Sequence, residues 1–174
     1  SVFNATVGGS TAGDAIGDGT DRALAINSTG TTTFEDSVNV AGGISQSDGA
    51  GLVTFRGNVT VAAGAGGAND DTALNANVVL DGVTLTANGS VRLGSDNADT
   101  LQVTGAATAI DTTGAGGGRG VVLIESNTTL AADLTVNAPD TAAAEDAVFN
   151  GTVDDTSAGT NGLTVNTPGV ADIN

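Results

Sequence analysis

The sequence contains no cysteine, histidine, lysine, methionine, tryptophan or tyrosine, and its only aromatic residues are four phenylalanines. Histidine and lysine are common general bases, and they also activate serine nucleophiles, so their absence removes the usual routes of proton transfer. No tryptophan or tyrosine ring is present on which a sugar could stack. We therefore expect that the protein is not an enzyme. Without cysteine it also has no disulfides.

Positive charge is almost absent. Four arginines face 17 aspartates and 3 glutamates, and the net charge is −16. Nucleic acids and anionic membranes would repel such a chain, so neither is an expected partner. No apolar run reaches the roughly 18–20 residues that span a bilayer, which argues against membrane insertion.

The composition must be compared with three possibilities, which are a disordered chain, a helical fold and an all-β fold. High net charge and few aromatics are typical of disordered chains. Against disorder stand many valines in alternation with polar residues and a mean hydropathy of +0.13. Helices are disfavoured because glycine, threonine, asparagine and valine form them poorly and no 3.6-residue stripe persists. The chain is therefore predicted to be all-β.

The segment "VTFRGNVTV", 53–61, carries the clearest strand pattern. Its apolar residues alternate with polar ones, which predicts a half-buried strand with a period of two. "TTFEDSVNV", 32–40, repeats the pattern 21 residues earlier, with Phe34, Val38 and Val40 as the matching residues. The shared template is one apolar residue, three others, an apolar residue, one other and a final apolar residue.

This template recurs along the whole chain at intervals of 19 to 31 residues. Its first positions are Phe3, Phe34, Phe55, Val79, Leu101, Leu130 and Phe149. Further short strands are predicted between them, at 22–27, 90–95, 120–126 and 162–167. Irregular loops between regularly recurring strands are typical of a solenoid. The prediction is a single parallel β-helix, or β-solenoid, of about seven coils over residues 1–174.

A β-solenoid also explains the shortage of aromatics. Its interior is a narrow tube filled by stacked aliphatic side chains, and each coil is hydrogen-bonded to its neighbours at a spacing of about 4.8 Å. The alternative fold is a β-sandwich of the donor-strand pilin type, which short alternating strands also permit.

Aspartate concentrates in predicted turns, at 14–21, 69–71, 95–99 and 153–155. Carboxylates on tight loops suit Ca²⁺. The alternative, which we prefer, is that these turns are solvated and that their aspartates cap backbone groups. On this interpretation no cofactor is expected, and no single metal site can be named.

Two segments carry a resemblance to a known group of proteins. "VFNGTVDDTSAGTNGLTVNT", 148–167, and "GSDNADTLQVTGAAT", 94–108, resemble the giant β-strand-repeat surface proteins of bacteria, of the filamentous-haemagglutinin and autotransporter-adhesin style. The resemblance implies a secreted, right-handed β-helix that serves as stalk, adhesin or fibre. It implies no particular binding residue.

The ends of the chain suggest how such a solenoid would function. The chain opens in a strand, "VFNATV", and closes on "GVADIN", so we expect incomplete coils at both ends without a charged cap. Solenoids must cap their terminal strand edges or polymerise. We predict an extracellular, cell-surface structural protein whose copies stack head to tail into a filament. The predicted junction residues are Val2, Phe3, Val7, Phe149, Val153, Val165, Val170 and Ile173.

A sequence similarity between the two ends of the chain supports this prediction. "AVFNGTVDDTSAG", 147–159, resembles "SVFNATVGGSTAG", 1–13. From Phe149 through the last residue to Phe3 of a following copy is 28 residues, within the range of the internal intervals. The alternative is a stalk segment of a large covalent adhesin, with its ligand site elsewhere and with contacts to a surface or matrix.

Overall fold

The computed structural model describes residues 1–8, 23–49, 51–62, 71–112, 120–138 and 147–174. These residues form strands and turns without any helix. The strands are β1 Val2–Phe3, β2 Leu24–Ile26, β3 Thr32–Phe34, β4 Val38–Ala41, β5 Ile44–Gln46, β6 Val53–Phe55, β7 Val59–Ala62, β8 Thr72–Leu74, β9 Val78–Asp81, β10 Thr84–Ala87, β11 Val91–Leu93, β12 Thr100–Thr104, β13 Thr108–Asp111, β14 Val122–Ile124, β15 Asn127–Leu130, β16 Leu134–Asn137, β17 Ala147–Phe149, β18 Val153–Asp155, β19 Leu163–Asn166 and β20 Ala171–Ile173.

The strands form three parallel sheets, which are the three faces of a β-solenoid. Face A contains β1, β3, β6, β9, β12, β15 and β18; face B contains β4, β7, β10, β13, β16 and β19; face C contains β2, β5, β8, β11, β14, β17 and β20. The chain passes through faces A, B and C in turn and then begins the next coil. The predicted β-solenoid is therefore confirmed, and the β-sandwich alternative is wrong.

Five inner coils, each of three strands, lie between two end coils. The N-end coil consists of β1, a single bridge from Val7 to Val38, and β2. The C-end coil consists of β18, β19 and β20. The C-end coil thus has a strand on every face, whereas "GVADIN" was expected to be an unfinished coil. This prediction missed that Ala171–Ile173 pairs with Ala147–Phe149 and closes the coil on face C.

The core is built from ladders, in which side chains at one register position stack from coil to coil. On face A one ladder runs through Phe3, Phe34, Phe55, Leu80, Val103, Leu130 and Asp155. The first three rings are stacked, with centroids 4.9 and 5.1 Å apart and ring planes inclined by 8°. These distances follow the strand spacing of about 4.8 Å, because parallel in-register pairing places identical side chains directly above one another.

The segment 53–61 forms two strands, and the prediction of one strand is wrong. Val53–Phe55 lies on face A and Val59–Ala62 on face B, with a corner at 56–58. Apolar residues point inward on both sides of the corner, so the alternation continues unbroken through it. Gly57 is required there because a Cβ atom would lie 2.2 Å from the backbone carbon of Asp36 in the coil below. Sequence alternation alone cannot distinguish such a corner from a straight strand.

Corners of unequal length displace two of the predicted ladder positions. Phe55 and Val59 are four residues apart, whereas their ladder partners Leu80 and Leu85 are five apart. The template therefore selected Val79, whose side chain points outward, instead of Leu80. Because the side-chain period of a strand is two, a shift of one residue moves a side chain to the opposite face. Leu101 is inward-facing, but the ladder residue of its strand is Val103.

Phe149 and Phe3 do not occupy equivalent positions. Phe149 lies on face C, between Ile124 and Ile173, whereas Phe3 lies on face A. The segments around Phe3 and Phe149 therefore occupy different corners of the solenoid. One corner joins face A to face B and the other joins face C to face A. The 28-residue count through the two ends compared positions on different faces, so it does not describe a coil.

We expect Phe55→Ala to lower the free energy of unfolding by about 3–5 kcal/mol. The ring is fully buried between Phe34 and Leu80, and its removal leaves a cavity that the stacked coils cannot close. Thr33→Ala, on the outward side of face A, is the control and should change stability by no more than about 0.5 kcal/mol. Equal losses in chemical denaturation would contradict the assignment of the face A ladder.

Candidate functional site

The candidate site consists of the outer surfaces of the two end coils, where seven of the eight predicted junction residues lie. On the N-end coil, Val2 and Phe3 are 61% and 42% exposed, and Val7 is half-buried. Phe3 is held by backbone pairing of β1 with β3, in which the Glu35 N–H donates to the Phe3 carbonyl oxygen at 2.9 Å. One side of its ring stacks on Phe34.

A cavity of about 150 Å³ opens beside Phe3. Its apolar walls are Phe3, Leu24, Ile26 and Phe34. Polar residues also line it, namely Ser1, Asn27, Ser28 and Thr32. The volume is several times the roughly 30 Å³ that one water molecule occupies in the liquid. The N-end coil therefore presents an apolar hollow large enough for an aliphatic side chain.

The C-end coil presents aliphatic side chains. Ile173 and Val170 are 56% and 52% exposed, while Val153 and Val165 are half-buried and pack against the core. Each strand of this coil pairs with the coil before it and carries no further strand on its outer side within the described residues. The outer side of this coil thus combines free strand edges with partly exposed core side chains.

Phe149 does not belong to this surface. It is fully buried, because β20 pairs with β17 and places Ile173 directly over it. Its prediction as a junction residue is therefore wrong. The sequence pattern does not indicate Leu24 and Ile26 as site residues, although both line the cavity on the N-end coil. They lie in the predicted strand 22–27, but nothing in the sequence assigns that strand to the solenoid end.

The ladders relate the two end surfaces position by position. Val7 and Val165 occupy the same ladder on face B, the former bridging to Val38 at one end and the latter pairing with Val136 at the other. Ile26 and Ile173 occupy the same ladder on face C. If the N-end coil of a second copy stacked on the C-end coil in the register of the inner coils, each of these pairs would form an apolar contact.

The face A ladder ends differently, on Asp155. This carboxylate holds the register position that Leu130 holds one coil earlier. It accepts hydrogen bonds from the N–H groups of Ser157 at 2.9 Å and Thr160 at 3.0 Å, and from the side-chain amide of Asn161 at 2.7 Å. An ionised group therefore stands at a core position of the C-end coil, contrary to the expectation that no charged cap is present.

These hydrogen bonds stabilise the ionised form of Asp155. The Ser157 N–H, followed by the side chain of Asn161, lowers the pKa of Asp155 from 3.8 to about 2. The prediction that aspartates cap the turn at 153–155 describes the bonds of Asp155. The sequence pattern does not identify Asp155 as a ladder residue, because the template begins its repeat at Phe149.

The aspartate-rich turns fall partly outside the described residues. The segment 14–21 and residues 69–70 are not described. In the turn at 95–99, Asp99 accepts hydrogen bonds from the Ser95 N–H and hydroxyl, and Asp96 accepts one from the Ala98 N–H. Within the described ranges, no three acidic side chains come close enough to hold a metal ion. The carboxylates of the described 95–99 turn thus bond to their own turn.

Comparisons of the chain with protein-family models, with curated protein sequences and with solved structures found no match. The described residues also include no helix of the length and apolarity needed to cross a membrane.

We expect the stabilising effect of Asp155 to disappear in acid. Because its folded-state pKa is depressed, the contribution is fully present above about pH 4 and is lost as the pH falls through about 2. Asp155→Asn should melt at a lower temperature than the unaltered chain at pH 7, and the difference should shrink between pH 4 and pH 2. Thermal melts followed by circular dichroism measure this difference.

The neighbouring substitution Asp154→Asn is the matched control. The Asp154 side chain is exposed, and among the described residues it accepts a hydrogen bond from the Thr152 hydroxyl alone. Its melting temperature should follow that of the unaltered chain at every pH. A difference between Asp155→Asn and the unaltered chain that stays constant from pH 7 to pH 2 would contradict the role assigned to the Asp155 carboxylate.

Proposed function

We propose that this protein is a structural element of an extracellular, cell-surface fibre, in which its solenoid continues by head-to-tail stacking of identical copies. The observation that carries the proposal is the match of ladder positions across the two end coils. Val7 would lie over Val165 of the next copy, and Ile26 over its Ile173. A junction of this kind is heterologous and therefore builds an open fibre.

The cavity on the N-end coil supports this arrangement. Ile173 is more than half exposed, and its ladder position matches Ile26, which lines the cavity. In a stacked pair the Ile173 side chain would enter the hollow beside Phe3. Burial of such a side chain contributes about 1.5–3 kcal/mol. The backbone edges of the two end coils would gain the hydrogen bonds that inner coils already make.

Charge opposes the stacking. Each copy carries a net charge of −16, and two copies repel one another unless salt screens their surfaces. At physiological ionic strength the screening length is about 8 Å. Association driven by the aliphatic contacts should therefore strengthen as salt is added.

Asp155 favours the second candidate, a stalk segment of a large covalent adhesin. In a stack of identical copies, Phe3 would lie over this carboxylate in the face A ladder. The faces of aromatic rings carry partial negative charge, so a ring stacked face-on above a carboxylate is unfavourable. A following coil of different sequence could place a polar or cationic side chain there instead. The resemblance to giant bacterial surface proteins supports either candidate.

We expect the 174-residue chain to associate reversibly into linear oligomers, with the sedimentation coefficient rising with concentration and salt. Ile173→Asp should abolish this association, because a carboxylate cannot enter the apolar hollow. Gln102→Asp adds the same charge at an exposed position on the outside of face A and should leave association unchanged. Equal association by the Ile173→Asp variant would overturn the head-to-tail junction.

A second experiment separates the two candidates. Fibres from the native source should dissociate in denaturant into a single species with the mass of one chain if the junctions are noncovalent. A very large undissociated chain would instead establish the covalent adhesin. Negative-stain microscopy before and after dissociation identifies the material, and intact mass spectrometry measures the species.

A further inference from the structure

The acceptor motif for N-linked glycosylation occurs six times in the chain. It consists of asparagine, any residue except proline, and then serine or threonine. Every one of these asparagines lies in a corner of the solenoid or at the end of a strand. They are Asn4, Asn27, Asn58, Asn88, Asn127 and Asn150. The motif alone does not distinguish among them, whereas their places in the fold do.

Three of the six asparagines belong to the ends of the solenoid. Asn4 and Asn27 lie in the N-end coil, and Asn150 lies in the corner between Ala147–Phe149 and the C-end coil. A glycan is bulky, so at any of these positions it would stand beside an end surface. In the proposed fibre both end surfaces must be free for stacking. This selection rests on the proposed function, and it leaves the three asparagines of the inner coils.

Two of the inner asparagines are poorly placed to carry a glycan. Asn127 is half-buried, and its Nδ2 donates a hydrogen bond to the Asn97 carbonyl oxygen at 2.8 Å. Its Oδ1 accepts one from the Thr152 N–H at 3.1 Å. The nitrogen to which a sugar would be attached therefore faces protein backbone. Asn88 is half-buried as well.

Asn58 is the inner asparagine whose amide nitrogen is accessible. It is exposed, and it lies in the corner between Val53–Phe55 on face A and Val59–Ala62 on face B. Its Oδ1 accepts a hydrogen bond from the Thr84 N–H of the next coil at 2.9 Å. A backbone N–H can only donate, so the atom bonded there must be the oxygen of this amide. The Nδ2 is on the opposite side of the amide group, and no group of the described residues bonds to it.

The hydroxyl that completes this motif lies on the same surface as the amide. Val59, between the two, points into the core and is fully buried. Because side chains alternate along a strand, Asn58 and Thr60 both point outward. Thr60 is half-buried, and its hydroxyl has no hydrogen-bond partner among the described residues. The start of this strand thus presents an amide nitrogen and a threonine hydroxyl, two residues apart, on the side of the solenoid.

We propose that Asn58 carries an N-linked glycan. A cellular transferase would join the Asn58 Nδ2 to the anomeric carbon of a glycosyl diphosphate. The bond between that carbon and the diphosphate oxygen breaks, the diphosphate leaves, and the nitrogen loses one proton to a base of the transferase. The Oδ1 keeps its bond from the Thr84 N–H, so the fold loses no hydrogen bond. A bulky, solubilising group on the side of the solenoid leaves both end coils free and opposes lateral aggregation of fibres.

The test uses chains recovered from the native source, together with variants expressed in the same cells. Protease digestion and mass spectrometry, with fragmentation that retains the glycan, should locate a sugar mass on Asn58 and none on Asn127. Thr60→Ala should abolish the modification, because it removes the hydroxyl of the motif and leaves the bond between Asn58 and Thr84 in place. Thr60→Ser, which keeps a hydroxyl, should retain the modification. Thr129→Ala removes the motif of Asn127 in the same way and should leave the sugar mass unchanged. Circular dichroism melts confirm that each variant is folded.

The outcomes separate the modification from the fibre. An unmodified Asn58 in chains recovered from outside the cell would overturn the modification and leave the proposed fibre standing. Chains found only inside the cell would overturn the extracellular function and the modification together. A sugar on Asn58 that persists in the Thr60→Ala variant, or equal occupancy of Asn58 and Asn127, would contradict the assignment of the site.

Discussion

The parallel, in-register stacking of coils at about 4.8 Å is the constraint on which the rest of this molecule depends. Because each strand lies directly over its equivalent in the previous coil, a residue is always in contact with the residue at the same ladder position. The aromatic stack of Phe3, Phe34 and Phe55 is one result of this rule. The rows of aligned polar side chains on the outward side of face B, such as Thr60 and Thr86, are another. Inside and outside the tube, the fold converts a loose sequence repeat into a regular row.

The same constraint determines where the solenoid can interact. Inner coils satisfy their strand edges and core side chains on both sides, so they offer only their outward faces. Among the described residues, the end coils have strand edges that carry no further strand, an apolar hollow beside Ile26 and partly exposed aliphatic side chains such as Ile173. A fibre junction would use the end coils.

Asp155 is the residue that most strongly opposes a fibre of identical stacked copies. Four N–H donors of residues 157–161 hold its carboxylate in the ionised form at a ladder position that is aliphatic in the coil before it. A junction between identical copies would have to accommodate this charge beneath the ring of Phe3. The Ile26–Ile173 and Val7–Val165 positions favour the junction, whereas Asp155 favours a different following coil. The association of the chain in solution and the mass of native fibres distinguish a junction between identical copies from a following coil of different sequence.

The sequence by itself determined the fold class, because alternation, valine content and the two-dozen-residue repeat require only local chemistry and counting. It also placed most strands and most of the partly exposed apolar residues of the end coils. Only the tertiary structure decided which face each strand occupies. The alternation of apolar and polar residues continues unchanged through the corner at Gly57, so the sequence does not reveal that corner. One additional residue in a later corner makes Leu80, and not Val79, the inward-facing residue of the ladder. Because Ala147–Phe149 lies on face C, Phe149 is in the core. Because Val153–Asp155 lies on face A, Asp155 is the last residue of the face A ladder.

Polar residues in the core were equally hidden from the sequence. Thr72 and Thr128 are fully buried at inward positions. In the sequence alone, a polar threonine in an alternating strand pattern is expected on the outward side. Their methyl groups pack in the ladders, while their hydroxyls have no hydrogen-bond partner among the described residues. Whether a threonine faces the core or the outside of the solenoid depends on the lengths of all the corners that precede it in the chain. Those lengths become visible only when the coils are stacked.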